Sequence, residues 1–381
     1  MDKTVDMIRE LEIIGANPKR SILNEMRQTG KKAVGCFPIY SPEEIVHAAG
    51  MLPIGMWGGQ TAGRLSDKYL QSFCCSIMKV NTEQALMGKY DFLSAVIITT
   101  FCDTLKCIVE NWKIASPQLN IIPIVYPQNR KIKVGKEFMR AEFLRVKEEL
   151  ERVIGKTITQ ESLEESIEIY DNYRATMQEF VELVPYYPTA LNPKTRHLII
   201  KAAYFMDKKS YTEKMKQLIT EIKKTPKEET KKKKIIITGL ISEPIGLLEI
   251  FTDNQMVIVA DDLAHESRQF RTIAPKIGDA LDRMVERISL QDGCAFLYDE
   301  AKNRGQMLID LKNKYEADAI VICQLKFCDP EEFDYPILKK ELEAANIPNL
   351  YLEIEQQMDS LEQLRTRVQS FAEMLTQDSK I

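Results

Sequence analysis

Lys31–Met56 reads KKAVGCFPIYSPEEIVHAAGMLPIGM, and Lys233–Ala260 reads KKIIITGLISEPIGLLEIFTDNQMVIVA. Each goes from a lysine pair into a β-branched or apolar run, a glycine, a hinge of Ser, Pro and Glu, a helical stretch and a second apolar run. Two further pairs follow in the same order. AVIITTFCDTL (95–105) is echoed by AIVICQLKFCDPEE (319–332), and NIIPIVYPQ (120–128) by NIPNLYLEIEQQ (346–357). Three matched pieces in one order imply two copies of one unit. Strands that alternate with helices imply parallel, doubly wound sheets. The expected fold is therefore α/β: two Rossmann-like parallel-sheet domains, an internal duplication, joined by a helical segment.

The units are expected at 1–135, with an N-terminal helix over 4–29, and at 231–381, with a C-terminal helix. Between them, 136–230 is charged and amphipathic, with breaks near Gly155, at Pro185–Pro188 and at Asn192-Pro193. TPKEETKKKK (225–234) reads as a solvated linker, because no aromatics interleave its lysines as a nucleic-acid site would need. Ser41-Pro42-Glu43-Glu44 reads as a helix start, with Ser41 as cap and Pro42 at the first helical position.

The chain has 381 residues, 44% of them hydrophobic and 28% charged, so it can bury a sizeable core and is not globally disordered. A formal net charge of −4 argues against duplex-DNA binding, which needs clustered positive charge. Apolar runs such as Ala95–Thr100 are far shorter than the roughly 18 residues of a membrane span. The charged N-terminus has no signal-peptide pattern, so the expected location is cytoplasmic, with no membrane and no nucleic-acid partner.

Eight cysteines in such a chain point away from structural disulfides. No CxxC pair occurs, and the three histidines (His47, His197, His265) make no HxxxH or HExxH pattern, which disfavours zinc. Cys102 and Cys328 each follow a strand and precede an Asp and a helix start. Ligands in doubly wound sheets sit beyond the carboxyl ends of the strands, and a helix N-terminus favours thiolate. If the two units face one another, these thiols converge, and Cys74 or Cys75 could supply a third. Three thiolates without histidine suit an iron–sulfur cluster with one iron left open. The competing reading makes Cys102 and Cys328 plain core or cap residues. Cys294 and Cys323 read as packing residues, Cys107 as buried, and Cys36 stays ambiguous. GMWGGQTAGR (55–64) lacks nucleotide-loop spacing. It reads equally as a backbone approach to a cofactor or as a mobile loop. Asp261, Asp262, His265, Glu266 and Arg268 read either as a capped turn or as the polar part of a partner-docking surface.

GCFPIYSPEEIVHAAGMLPIGMWGGQ (35–60), SFCCSIM (72–78), CDTLKC (102–107) with NWK (111–113), DDLAHESRQFR (261–271) and KFCDPEEFDYP (326–336) resemble the β subunits of (R)-2-hydroxyacyl-CoA dehydratases. Benzoyl-CoA reductase subunits are more distant relatives of that family. The resemblance implies a heterodimer with a homologous α subunit, each subunit carrying a 4Fe–4S cluster on three cysteines. Here those fall on Cys75, Cys102 and Cys328, with a non-protein fourth ligand. It implies syn-elimination of water from an (R)-2-hydroxyacyl-CoA to the (E)-2-enoyl-CoA in anaerobic amino-acid fermentation. One electron makes the thioester a ketyl radical anion, which expels the 2-hydroxyl and acidifies the C3 proton. The electron comes from a separate ATP-dependent iron–sulfur activator, and the β cluster relays it to the α cluster, where substrate binds. Flavin occurs in some members. Three other readings remain: an electron-transfer subunit of a benzoyl-CoA-type reductase, a single-component dehydratase, and a zinc-binding or metal-free scaffold.

Overall fold

The computed structural model describes residues 3–61 and 63–378. The outermost residues of the expected units, 1–2 and 379–381, lie outside them. Strands β1 (Ala33–Phe37), β2 (Leu52–Gly55), β3 (Leu93–Thr99) and β4 (Ile121–Ile124) form one sheet in the order β2-β1-β3-β4. Strands β5 (Lys233–Gly239), β6 (Met256–Leu263), β7 (Ala319–Leu325) and β8 (Asn349–Ile354) form the other in the order β6-β5-β7-β8. Every pairing is parallel. The two sheets thus have the same topology, as the ordered echoes imply.

The inner strands β1 and β7 are buried at every position, as strands covered on both faces must be. The edge strands β4 and β8 alternate between buried and partly exposed residues. Helices Lys133–Ile154, Gln160–Leu183, Pro193–Ala202 and Lys208–Ile222 fill the stretch between the sheets. Gly155 ends the first of these in the left-handed region (φ 68°), and Asn192 caps the third through Lys194 and Thr195 N–H, with Pro193 at its first position. Ile8 and Leu11 of the N-terminal helix share a core with Met177, Phe180, Ile199 and Tyr211 of this helical stretch.

Two local expectations change. The helix expected over 4–29 is two helices, Lys3–Ala16 and Pro18–Thr29. Pro18 forces the break, because the residue before a proline is pushed out of helical geometry, and Asn17 sits at φ −126°, ψ 63°. The helix after β1 starts at Glu43 with Pro42 at the cap position, and the Ser41 hydroxyl is buried with no hydrogen-bond partner among the described residues. Tyr40 turns the chain in the left-handed region (φ 57°). Glu44, which a capping box would turn back on the chain, is engaged by Arg174 instead.

That ion pair gives a testable pH dependence. Glu44 is 1% exposed, and burial alone would raise its pKa, but Arg174 and Arg287 outweigh burial and hold it at about 2 rather than 4.5. A carboxyl depressed in the folded state stabilises the fold fully above its unfolded value and loses that contribution as pH falls through the folded value. The shift corresponds to roughly 3 kcal/mol. Glu44→Gln should therefore lower the denaturant midpoint at pH 7. The gap from the parent should shrink between about pH 4.5 and 2. A gap that does not change with pH would show that the pair contributes nothing.

Candidate functional site

The carboxyl ends of both sheets lead into helices, and a cysteine stands at the cap of each. Cys102 follows the end of β3 and caps Asp103–Ala115, while Cys328 follows the end of β7 and caps Asp329–Ala344. Cys75 caps Ser76–Leu86, the helix after the glycine-rich loop. The same local grammar of strand, Phe-Cys-Asp and helix builds the first two. Cys75 and Cys328 are buried, and Cys102 is half-buried.

Cys75 is acted on electrostatically by Cys102, and Cys328 by both Cys75 and Cys102, so the three sulfurs fall within electrostatic range of one another. Burial pushes Cys75 up to about 12, against the first-turn N–H groups of Met78 and Ile77, and Cys102 and Cys74 push it further up. Burial likewise pushes Cys102 up to about 11, opposed by the N–H groups of Leu105 and Thr104 and reinforced by Asp329 and Asp103. Cys328 is raised well above its ordinary value by burial and then by Cys75, Glu331 and Cys102. None of the three makes a capping hydrogen bond of ordinary geometry. The N–H groups nonetheless face the sulfurs closely enough to favour the thiolate.

This donor set suits a thiophilic metal centre. Burial, thiols, carboxylates and helix N–H groups are the leading influences on all three sulfurs, and no lysine or arginine is among them. Three thiolates, two of them buried and one half-buried, would therefore repel one another unless a bound cation lay between them. A thiolate-ligated iron–sulfur cluster fits that requirement, with the helix N–H groups available to its sulfurs.

The other cysteines fall elsewhere. Cys323 is buried in β7, Cys36 is buried in β1 with its thiol raised well above normal by burial, and Cys294 is buried beside Arg268 Nη1 at 3.6 Å. Cys107, expected to be buried, is exposed. Its helix buries Leu105, Ile108, Val109 and Trp112, a face that residue 107 lies outside.

The Asp261–Arg268 cluster is not a docking surface. Asp261, Asp262, His265, Glu266 and Arg268 are all buried. Arginines neutralise the acids, and two of them, Arg196 and Arg304, come from distant segments that the local sequence does not show. Arg196 binds Asp261 and Glu266, and His197 Nδ1 lies 2.8 Å from Glu266. Asp262 accepts from Arg268 (2.9 Å), Arg271 (2.7 Å) and Arg304 (2.9 Å). Arg268 also reaches Glu331, one turn into the helix that Cys328 caps, at 3.0 Å. This network anchors the Cys328 helix to β6. His197, His265 and Glu266 have potential metal-binding atoms within 4.8 Å of one another. Glu266, however, is already committed to Arg196 and His197, so the group reads as a buried charge network. His265 is held neutral, its pKa lowered to about 3 first by burial and then by His197.

Sequence reasoning missed Gln356. It is 1% exposed and follows β8. Its backbone N–H donates to Ser76 Oγ (3.0 Å), beside Cys75, and its side-chain amide donates to Trp57 O (2.7 Å) and Glu243 (2.9 Å). A paired Gln356-Gln357 just past a strand's carboxyl end was the available signal. The glycine-rich loop packs on this side chain: a Cβ at Gly58 (φ 89°) would lie 2.1 Å from Gln356 Oε1. Gly58→Ala should therefore displace Gln356 and lower the melting temperature, while Gly50→Ala, with nothing within 4 Å, should cost only its backbone strain. Equal losses for the two variants would contradict the stapling role.

Comparison with known proteins places the chain. The family model described as 2-hydroxyglutaryl-CoA dehydratase, D-component, matches residues 38–375. The (R)-phenyllactyl-CoA dehydratase beta subunit of Clostridium sporogenes is 44% identical over 98% of this chain and 100% of its own length. The lactoyl-CoA dehydratase subunit beta of Anaerotignum propionicum is also 44% identical, over 98% of this chain and all of its own. The (R)-2-hydroxyglutaryl-CoA dehydratase subunit beta of Acidaminococcus fermentans is 36% identical over 97% of this chain and 99% of its own. The chain belongs to the 2-hydroxyglutaryl-CoA dehydratase D-component family, and so to the hydro-lyases, as a beta-type subunit. No helix among the described residues is long and apolar enough to cross a membrane.

Proposed function

We propose that the protein is the β subunit of a dehydratase that removes water from an (R)-2-hydroxyacyl-CoA, and that Cys75, Cys102 and Cys328 hold its 4Fe–4S cluster. The reading is supported by three helix-capping thiols, two of them following strands of different sheets, whose sulfurs act on one another electrostatically. When bound, such a cluster supplies one-electron chemistry, taking up and returning a single electron. The chain's own residues do the rest. Burial keeps water from the sulfurs of Cys75 and Cys328, and Cys102 is half-buried. The N–H groups of Met78, Leu105 and Glu331 face the three sulfurs and favour their negative charge. The Arg268–Glu331 pair fixes the Cys328 helix, and Gln356 fixes the loop and helix that flank Cys75.

In this reading the chain receives an electron from an ATP-dependent activator and passes it to a homologous α subunit that binds the acyl-CoA. Phe73 (64% exposed) and Phe333 (83% exposed) flank the cysteines and supply an apolar contact for that subunit, in place of the buried Asp261–Arg268 cluster. Phe333→Asp should leave the isolated chain folded but reduce its co-purification with the α subunit. The decisive test is anaerobic dehydration by chain, α subunit, activator, ATP and reductant, with each protein omitted in turn. Full turnover without the α subunit would overturn the relay assignment.

A further inference from the structure

A cavity of about 600 Å³ opens where the N-terminal helices, the glycine-rich loop and the Glu243–Ile245 hinge meet, and no cysteine lines it. Its size falls within the roughly 300–1,000 Å³ of small-molecule sites. Trp57, Phe92, Phe205 and Ile245 supply apolar walls, and Gly58-Gly59 leave a stretch of bare backbone at one side. The charge is one-sided. Lys19, Lys89, Lys194 and Lys201 line the cavity, against Glu243 as the carboxylate in the lining. Lys201 is spent on Glu243 and Lys194 on Glu249, whereas Lys19 and Lys89 have no carboxylate partner among the described residues.

We propose that this cavity is a second ligand site, for an organic anion with an apolar body, seated with its anionic end toward Lys19 and Lys89. The inference does not depend on the iron–sulfur reading. Apolar walls supply the affinity and the amines select the charge. The anion could be the carboxylate of a free acid or the phosphates of a carrier thioester, and the site would accept either. Gln356 bonds two lining residues, Trp57 and Glu243, with its side chain, and bonds Ser76, next to Cys75, with its backbone.

The chain carries its own reporter. It has two tryptophans. Trp112 is fully buried and donates to Thr82 at 2.9 Å, so a ligand-dependent emission change belongs to Trp57. The full chain would be titrated with 3-phenylpropionate, its CoA thioester and free coenzyme A, by emission and by equilibrium dialysis. The expected result is saturable binding below about 1 mM for the acid or the thioester, absent for coenzyme A alone. Binding of the acid alone would assign the charge contact to a carboxylate, and binding of the thioester alone would assign it to phosphates, because the thioester carries no free carboxylate. The emission change should vanish in Trp57→Phe while dialysis still detects binding. Lys19→Glu with Lys89→Glu should weaken binding roughly tenfold or more. Cys75→Ser with Cys102→Ser should leave binding unchanged, so this test survives failure of the cluster assignment. No saturable binding of acid or thioester, equal binding of coenzyme A alone, or full affinity in the double lysine variant would each overturn the proposal.

Discussion

Cys75→Ser, Cys102→Ser and Cys328→Ser are each expected to strip most of the iron from anaerobically purified protein and to abolish dehydration by the assembled enzyme. Cys294→Ser and Cys323→Ser should retain iron near the parent level. The physical ground is local. The first three sulfurs sit at helix caps and act on one another electrostatically, whereas Cys323 lies inside β7 and Cys294 packs beside Arg268. Serine keeps the size of the side chain but offers a hard oxygen with a far higher pKa, a poor partner for iron. The measurements are iron per chain and absorbance at about 400 nm, a region where thiolate-bound iron–sulfur centres absorb. Circular dichroism on the same samples separates loss of metal from loss of fold. Full iron in a Cys102→Ser, Cys328→Ser double variant would remove the assignment.

The second large effect should come from Asp262→Asn. Arg268, Arg271 and Arg304 all converge on this carboxylate, which is wholly buried. Burial alone would raise its pKa, yet the three guanidinium groups drive it far below the normal range. Asparagine removes the negative charge and leaves three cations facing one another, with Glu331 and Asp334 as the remaining acids. Breaking a buried pair in this way costs about 3–5 kcal/mol, and here more than one pair is broken. The expected outcome is a large drop in the denaturant midpoint at pH 7, or insoluble protein. Arg271→Lys tests the same network gently, because Arg271 is partly exposed and lysine keeps the charge. It should cost little stability and leave iron content unchanged. A stable Asp262→Asn protein with normal iron would show that the network neither holds the fold nor positions the Cys328 helix.

Much of this was legible because periodic patterns survive in sequence. The echo of AVIITTFCD in AIVICQLKFCD placed both cysteines at equivalent strand ends, and the sheets have matching strand order. Cys75 could not be separated from Cys74 by spacing, because either could open the helix, and only the resemblance chose between them. The Asp261–Arg268 cluster was misplaced for a different reason. Runs of charge after a strand look solvent-facing, and their partners Arg196 and Arg304 are far away in the chain. Gln356 escaped notice for the same reason, since its partners Ser76, Trp57 and Glu243 come from three separate segments. Long-range pairing of polar groups leaves no periodicity to read.

The stapling by Gln356 also sets the order of events during biogenesis. Synthesis runs from the N-terminus and domains fold as they emerge. Cys75 and Cys102 are made early, Cys328 much later, and Gln356 later still. Until β8 has joined its sheet, the Trp57–Gln60 loop and the start of the Ser76 helix lack the amide that ties them together. A nascent chain therefore offers a metal donor only two of the three thiols, in a wall not yet closed. On the ligand assignment proposed above, cofactor loading would belong to the released, completed polypeptide, and a ribosome stalled in the second half would leave Cys75 without the Gln356 contact that closes its surroundings in the finished molecule.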